Sequence, residues 1–251
     1  MKIAMIVEYE GTNYHGFQRQ QNVRTVQEEI EKSVNKFTGE EIKINGAGRT
    51  DAGVHATGQV VAFNTGSVYG VNTFVGAVNH YLPEDISVKK VWEVSYNFHP
   101  RRDAISKVYT YSILNSEIPS PLKRKFVTMV KHRLDVDVMN EGAKLFLGEH
   151  DFKVFTCSSE LEGKCTIREI VRSHIYDSDN MLRYTVEGNG FLRYQVRRMV
   201  GSLVKVGKGK MGLHELRQVT SGNKYAVTDR MPAKGLCLYK VNYLEQTMGF
   251  R

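Results

Sequence analysis

At 251 residues the chain is long enough for one large domain or two small ones with a sound core. Its 35 Lys and Arg against 27 Asp and Glu leave a net charge of +8, which favours a polyanionic partner, nucleic acid before an acidic membrane. No stretch is apolar for long enough to cross a bilayer, and 41% hydrophobic with 25% charged residues is the balance of a globular protein.

The chain opens on strand-like sequence over residues 2–9, where Ile3, Met5 and Val7 alternate with other positions. Thr25 begins a predicted helix through a capping box with Glu28. Val26, Ile30, Val34 and Phe37 recur at helical spacing, and Gly39 closes it. Residues 41–45 and 58–64 read as strands on either side of a glycine-rich loop. A second helix is predicted over 72–81, stopping before Pro83, then strands over 86–94 and 105–114. Residues 117–125 hold two prolines and the cluster Lys123-Arg124-Lys125, the composition of an exposed connection. A helix over 136–147 follows, then strands over 166–176 and 181–187 joined by an Asp177-Ser178-Asp179-Asn180 turn. Helices are expected over 191–206 and 213–219, and a last strand over 236–243.

Strand, helix and further strands recur in each half, which predicts an α+β fold of two related halves, residues 1–103 and 104–251. They are expected to contribute antiparallel and mixed strands to a shared central sheet flanked by helices, with a basic cleft between them. Cys157, Cys165 and Cys237 are odd in number and lack a CxxC spacing, so they read as free thiols in a reducing compartment. With no leader-like opening, the expected location is the cytoplasm. The eight histidines are scattered without HExxH spacing, which gives a metal little support.

The stretch that carries chemistry is Gly46-Ala47-Gly48-Arg49-Thr50-Asp51-Ala52-Gly53-Val54-His55-Ala56. Three glycines in eight positions let the backbone turn sharply and approach a ligand. In an extended segment residues i and i+2 share a face, which would aim Arg49 and Asp51 into one cleft. A cation beside the carboxylate would keep Asp51 ionised as a nucleophile or base. The bland alternative is a turn aspartate bonded to its own backbone.

This loop resembles the catalytic signature of the tRNA pseudouridine(38–40) synthase family, the TruA-type enzymes. Residues 6–20, from Ile6-Val7-Glu8-Tyr9 through Tyr14-His15-Gly16-Phe17, resemble the family's opening, followed by Thr25-Val26-Gln27-Glu28. Asn97-Phe98-His99-Pro100-Arg101, Lys107-Val108-Tyr109-Thr110-Tyr111, the run from Phe191 to Arg197, and Gly235-Leu236-Cys237-Leu238 then occur in family order. Glu10, Phe17, Val108 and Gln195 depart from the family's usual residues, and none touches the carboxylate. The resemblance implies isomerisation of uridine to pseudouridine in the anticodon stem-loop of tRNA, at positions 38 to 40, by a homodimer. The reaction breaks the bond from ribose C1′ to N1, turns the uracil and joins C1′ to C5. Nothing is oxidised and no group is imported, so no cofactor is required.

In that chemistry the resemblance makes Asp51 the catalytic carboxylate, by attack on C1′, addition at uracil C6, or removal of a ribose proton. It gives Arg49 the task of flipping the target nucleotide or filling its place, against the plain reading of a surface arginine paired to a carboxylate. It makes Tyr109 a ring that stacks on uracil and relays the C5 proton, with Tyr111 a supporting residue. Arg197 matches a buried arginine that pairs with the aspartate. Arg198 is the alternative, since adjacent helical residues point about 100° apart. Arg101-Arg102, Lys123-Arg124-Lys125 and the lysines of 205–210 suit phosphate contacts or plain solvated faces. Gly207-Lys208-Gly209-Lys210-Met211-Gly212 satisfies GxGxxG but follows a helical pattern, so it reads as a link between helices. The rival functions are a non-catalytic RNA-binding module and a metal-dependent nuclease. The first gains nothing from a carboxylate facing phosphates, and the second lacks its ligand cluster.

Overall fold

A computed structural model describes residues 1–157, 165–222 and 229–244, which fall into two compact units. One comprises residues 1–107 with the chain from Leu238 onward, the other Val108–Cys237. Both mix a sheet with helices, and the α+β class expected from the sequence is borne out.

In the first unit, β1 (Lys2–Tyr9) runs antiparallel between β3 (His55–Asn64) and β4 (Ile86–Glu93). The sheet order is β4-β1-β3-β10, where β10 is Leu236–Asn242, and the short β2 (Asn45–Gly46) pairs with β3. Helices α1 (Val26–Thr38) and α2 (Val71–Tyr81) cover the sheet. Val26, Ile30 and Val34 are buried as their spacing requires, and Phe74 of α2 meets Phe37 edge-on with centroids 5.0 Å apart.

Two local expectations are corrected here. Thr25 precedes α1 but makes no capping bond, and its hydroxyl is buried without a hydrogen-bond partner among the described residues. The carbonyls of Gly16 and Phe17 accept from the Val26 and Gln27 N–H groups at 3.2 and 2.9 Å, so the first two N–H groups of the helix are satisfied by backbone. Residues 41–44 are not a strand either, although Ile42 and Ile44 are buried. Their N–H groups donate to side chains of α1, Ile42 to Asn35 at 2.9 Å and Ile44 to Glu31 at 3.1 Å. Alternating burial survives there without a ladder.

The second unit has the order β5-β9-β8-β7, with β5 (Ser106–Asn115) entering it at Val108, then β9 (Met181–Gly188), β8 (Ile167–Ser178) and β7 (Gly148–Asp151). The three-residue β6 (Thr128–Val130) lies parallel to β5. A bulge between Ile170 and Arg172 shifts the buried positions of β8 from Ile170 to Ser173 and Ile175. Helices α3 (Val136–Lys144), α4 (Gln195–Gly207) and α5 (Leu213–Thr220) pack on one another. Helix α4 starts four residues later than its apolar pattern suggests, because Tyr194 takes a left-handed φ of 66°. The glycine run after α4 links it to α5, as expected.

Candidate active site

Between β2 and β3 the chain forms the loop 47–54, fastened at both shoulders. Ala47 N–H donates to the Val60 carbonyl at 2.8 Å, and the buried Gln59 amide donates to the Gly48 carbonyl at 2.8 Å. The Tyr9 and Thr50 hydroxyls share a buried hydrogen bond of 2.8 Å, and the Thr50 carbonyl accepts from Phe17 N–H at 3.1 Å. Val54 N–H donates to the Asp51 carbonyl at 3.1 Å, closing a turn that holds Asp51 half-buried. Beyond it, Nδ1 of the buried His55 accepts from Gly11 N–H at 3.0 Å.

Residues 9–17 are therefore the mould in which the loop sits. A Cβ on Gly11 would stand 1.9 Å from the Val54 carbonyl oxygen, and one on Gly16 2.7 Å from that of Thr50. Gly16 also has φ +97°, a region that L side chains rarely adopt. Tyr14 anchors the mould from behind. Its carbonyl accepts from Gly53 N–H at 3.3 Å, its phenol donates to the Asp85 carboxylate, and Arg24 lies 4.7 Å over its ring. Burial, then Asp85, pushes that phenol far above its ordinary pKa.

Arg49 is exposed and has no carboxylate within ion-pair distance among the described residues, so the pairing with Asp51 anticipated from the sequence is not formed. The same-face rule holds for extended chain, and here the chain turns at Asp51. Arg49 instead borders a hollow of about 230 Å³ together with Phe17, Asn45, His99 and Arg101.

In the second unit Tyr109 is 7% exposed on β5, its ring edge-on to Phe191 at 5.1 Å. Tyr111 is fully buried, bonded to the Thr128 hydroxyl at 2.7 Å and the Pro232 carbonyl at 2.8 Å. Burial pushes its phenol up to about 12, which suits a supporting residue. Arg197 on the first turn of α4 is buried, with Nε donating to the Met231 carbonyl at 2.7 Å. Arg198 is half-buried, and its Nε has no hydrogen-bond partner among the described residues. Gln195, one of the departures from the family pattern, accepts from Leu192 N–H at 2.8 Å and so secures the start of α4.

Arg49 and Asp51 thus share one loop of the first unit, while Tyr109 and Arg197 belong to β5 and α4 of the second. Tyr9, Tyr14 and His55 were missed as supports of the loop. Polar aromatic side chains beside Gly11 and Gly16 were the available signal, since such glycines mark close backbone approach.

A family model described as tRNA pseudouridine synthase matches residues 5–102 and 143–244. A curated relative from Acetivibrio thermocellus, tRNA pseudouridine synthase A, is 42% identical over 242 residues, covering 96% of this chain and 99% of the relative. Its namesake from Geobacter sp. is 40% identical over 97% of this chain and 99% of its own. A tRNA pseudouridine synthase A 2 from Clostridium perfringens is 41% identical over 96% and 99%.

Proposed function

The chain belongs to the tRNA pseudouridine synthase family, and from that membership we propose that it isomerises uridine to pseudouridine in the anticodon stem-loop of tRNA, at positions 38 to 40, with Asp51 as its catalytic carboxylate. The observation that carries the assignment is the moulded loop. Thr50 before it is tied to Tyr9 and Phe17, and the carbonyl of Asp51 itself accepts from Val54 N–H, so its carboxylate is presented from a fixed backbone. Breaking the bond between C1′ and N1 develops positive charge on the sugar, which a fixed carboxylate stabilises. The uracil turns, C1′ joins C5, and the proton leaving C5 is balanced by one gained at N1, so the reaction needs no cofactor.

The other assignments belong to the same reading. Tyr109, buried and braced by Phe191, stacks on the uracil and relays the C5 proton. Arg49, exposed and without a carboxylate partner among the described residues, flips the target nucleotide or fills its place. Arg197, the more buried of the two candidates on α4, holds the catalytic carboxylate ionised. The protein works as a homodimer, and it works in the cytoplasm, where cysteines outside any disulfide, as Cys157, Cys165 and Cys237 are, fit a reducing compartment. The cluster Lys123-Arg124-Lys125, exposed on its connection, contacts tRNA phosphates. Pseudouridine mapping of tRNA from cells with and without the protein tests this reading. Loss of the modification at 38 to 40 supports it, and an unchanged map overturns it.

A further inference from the structure

The hollow beside the catalytic loop has a chemistry of its own. At about 230 Å³ it is smaller than the cavities of roughly 300 Å³ upward that enclose whole drug-sized ligands, and it suits a single compact group. No carboxylate lines it. Two acceptors at its wall are already engaged. The Gly48 carbonyl accepts from Gln59 at 2.8 Å, and the Gln27 side-chain oxygen accepts from Arg19 N–H at 3.0 Å.

The charged and imidazole groups on the wall are donors. The guanidinium groups of Arg49 and Arg101 are exposed, and neither has a carboxylate within ion-pair distance among the described residues. His99 completes the set in a defined form. Its Nδ1 accepts from the N–H groups of Arg101 and Arg102 at 3.2 and 3.4 Å, which leaves the ring proton on Nε2. Burial, with Arg102 nearby, lowers its pKa, so at neutral pH it is an uncharged donor of fixed tautomer. A compact ligand meeting two guanidinium groups and an imidazole N–H, with no carboxylate on the wall, is an oxyanion.

We infer that this hollow is a subsite for one phosphodiester of the RNA strand, next to the target uridine, held chiefly by Arg101. The inference rests on the reading of the chain as an RNA-modifying enzyme. Arg49 reaches the same hollow from the catalytic loop. One seated phosphate therefore fixes where the strand enters the site, while the chemistry on the uridine is left to Asp51 and Tyr109.

The test is a set of anticodon stem-loop RNAs, each carrying one uncharged methylphosphonate in place of a phosphate around the target. Binding is measured with the wild-type protein and with Arg101→Met. At one position the neutral linkage is expected to weaken wild-type binding by about tenfold, the size of a missing charge-assisted hydrogen bond. For Arg101→Met, itself weakened to a similar degree, that same linkage adds less than twofold, because the two losses are one interaction. Arg101→Lys retains part of the coupling as a point charge. Equal penalties in wild type and Arg101→Met at every position would overturn the subsite. Pseudouridine formation by the wild-type protein on the unmodified RNA is the separate control. If it is absent, the functional reading fails; if it is present without coupling, only the subsite fails.

Discussion

The hydroxyls of Tyr9 and Thr50 lie 2.8 Å apart in the protein interior, tying the last residue of β1 to the residue before Asp51. Forty-one positions separate them in the chain, so an inner strand of the sheet sets the position of the catalytic loop directly.

Tyr9→Phe removes that bond and leaves the buried Thr50 hydroxyl without its Tyr9 partner. Stability should fall by about 1 kcal/mol, the usual net value of such a bond. The rate of pseudouridine formation should fall further than tRNA affinity, because the loop is loosened while the RNA-binding surface stays. Urea unfolding together with single-turnover kinetics checks both. Parallel losses in rate and affinity would make Tyr9 a purely structural residue.

Gly11→Ala tests the mould itself. The added methyl would stand 1.9 Å from the Val54 carbonyl oxygen, and backbone cannot yield as the end of a flexible side chain does. A loss of about 1–3 kcal/mol is expected, the range of overpacked cores. Gly39→Ala is the contrast, since nothing lies within 4 Å of its added Cβ and only its φ of +76° resists the change. If both variants lose the same stability, close approach at Gly11 is not what matters.

Much of the fold was legible because long elements carry their burial in their spacing, as α1 and β1 do. The short strands β6 and β7 were not, since three or four residues hold no readable period. The capping bond expected at Thr25 is not formed, and the first two helix N–H groups, of Val26 and Gln27, are taken by the carbonyls of Gly16 and Phe17, a tertiary contact that no local pattern shows. At the site, the glycine loop announced itself, whereas the task of residues 9–17 depends on partners about forty residues away. A local pattern contains no such information.

Stability should depend on pH through two histidines. His99 and His174 both have lowered pKa values, each from burial first and a neighbouring arginine second. The unfolded chain then binds more protons than the folded one just below pH 6.5, so stability is present above that value and is lost as pH falls through it. Urea midpoints should be lower at pH 5.5 than at pH 7.5, and His99→Gln with His174→Gln should flatten the difference. An undiminished difference in the double variant would assign it to other groups.

Lys123→Glu with Arg124→Glu should weaken tRNA binding and make its salt dependence shallower, by about 0.7 to 0.9 in the log–log slope for each phosphate no longer neutralised. Both side chains are exposed and have no ion-pair partner among the described residues, so folding should be unaffected. Binding isotherms at several salt concentrations measure it. An unchanged slope would return this cluster to a solvated face.

The assignment of Asp51 is tested most directly by Asp51→Asn, which keeps the size of the side chain and removes its charge and basicity. Single-turnover pseudouridine formation in tRNA, at enzyme concentrations that saturate binding, should become undetectable while tRNA affinity stays within a few-fold of wild type. Pseudouridine formation near the wild-type rate would contradict the account and remove Asp51 from the chemistry.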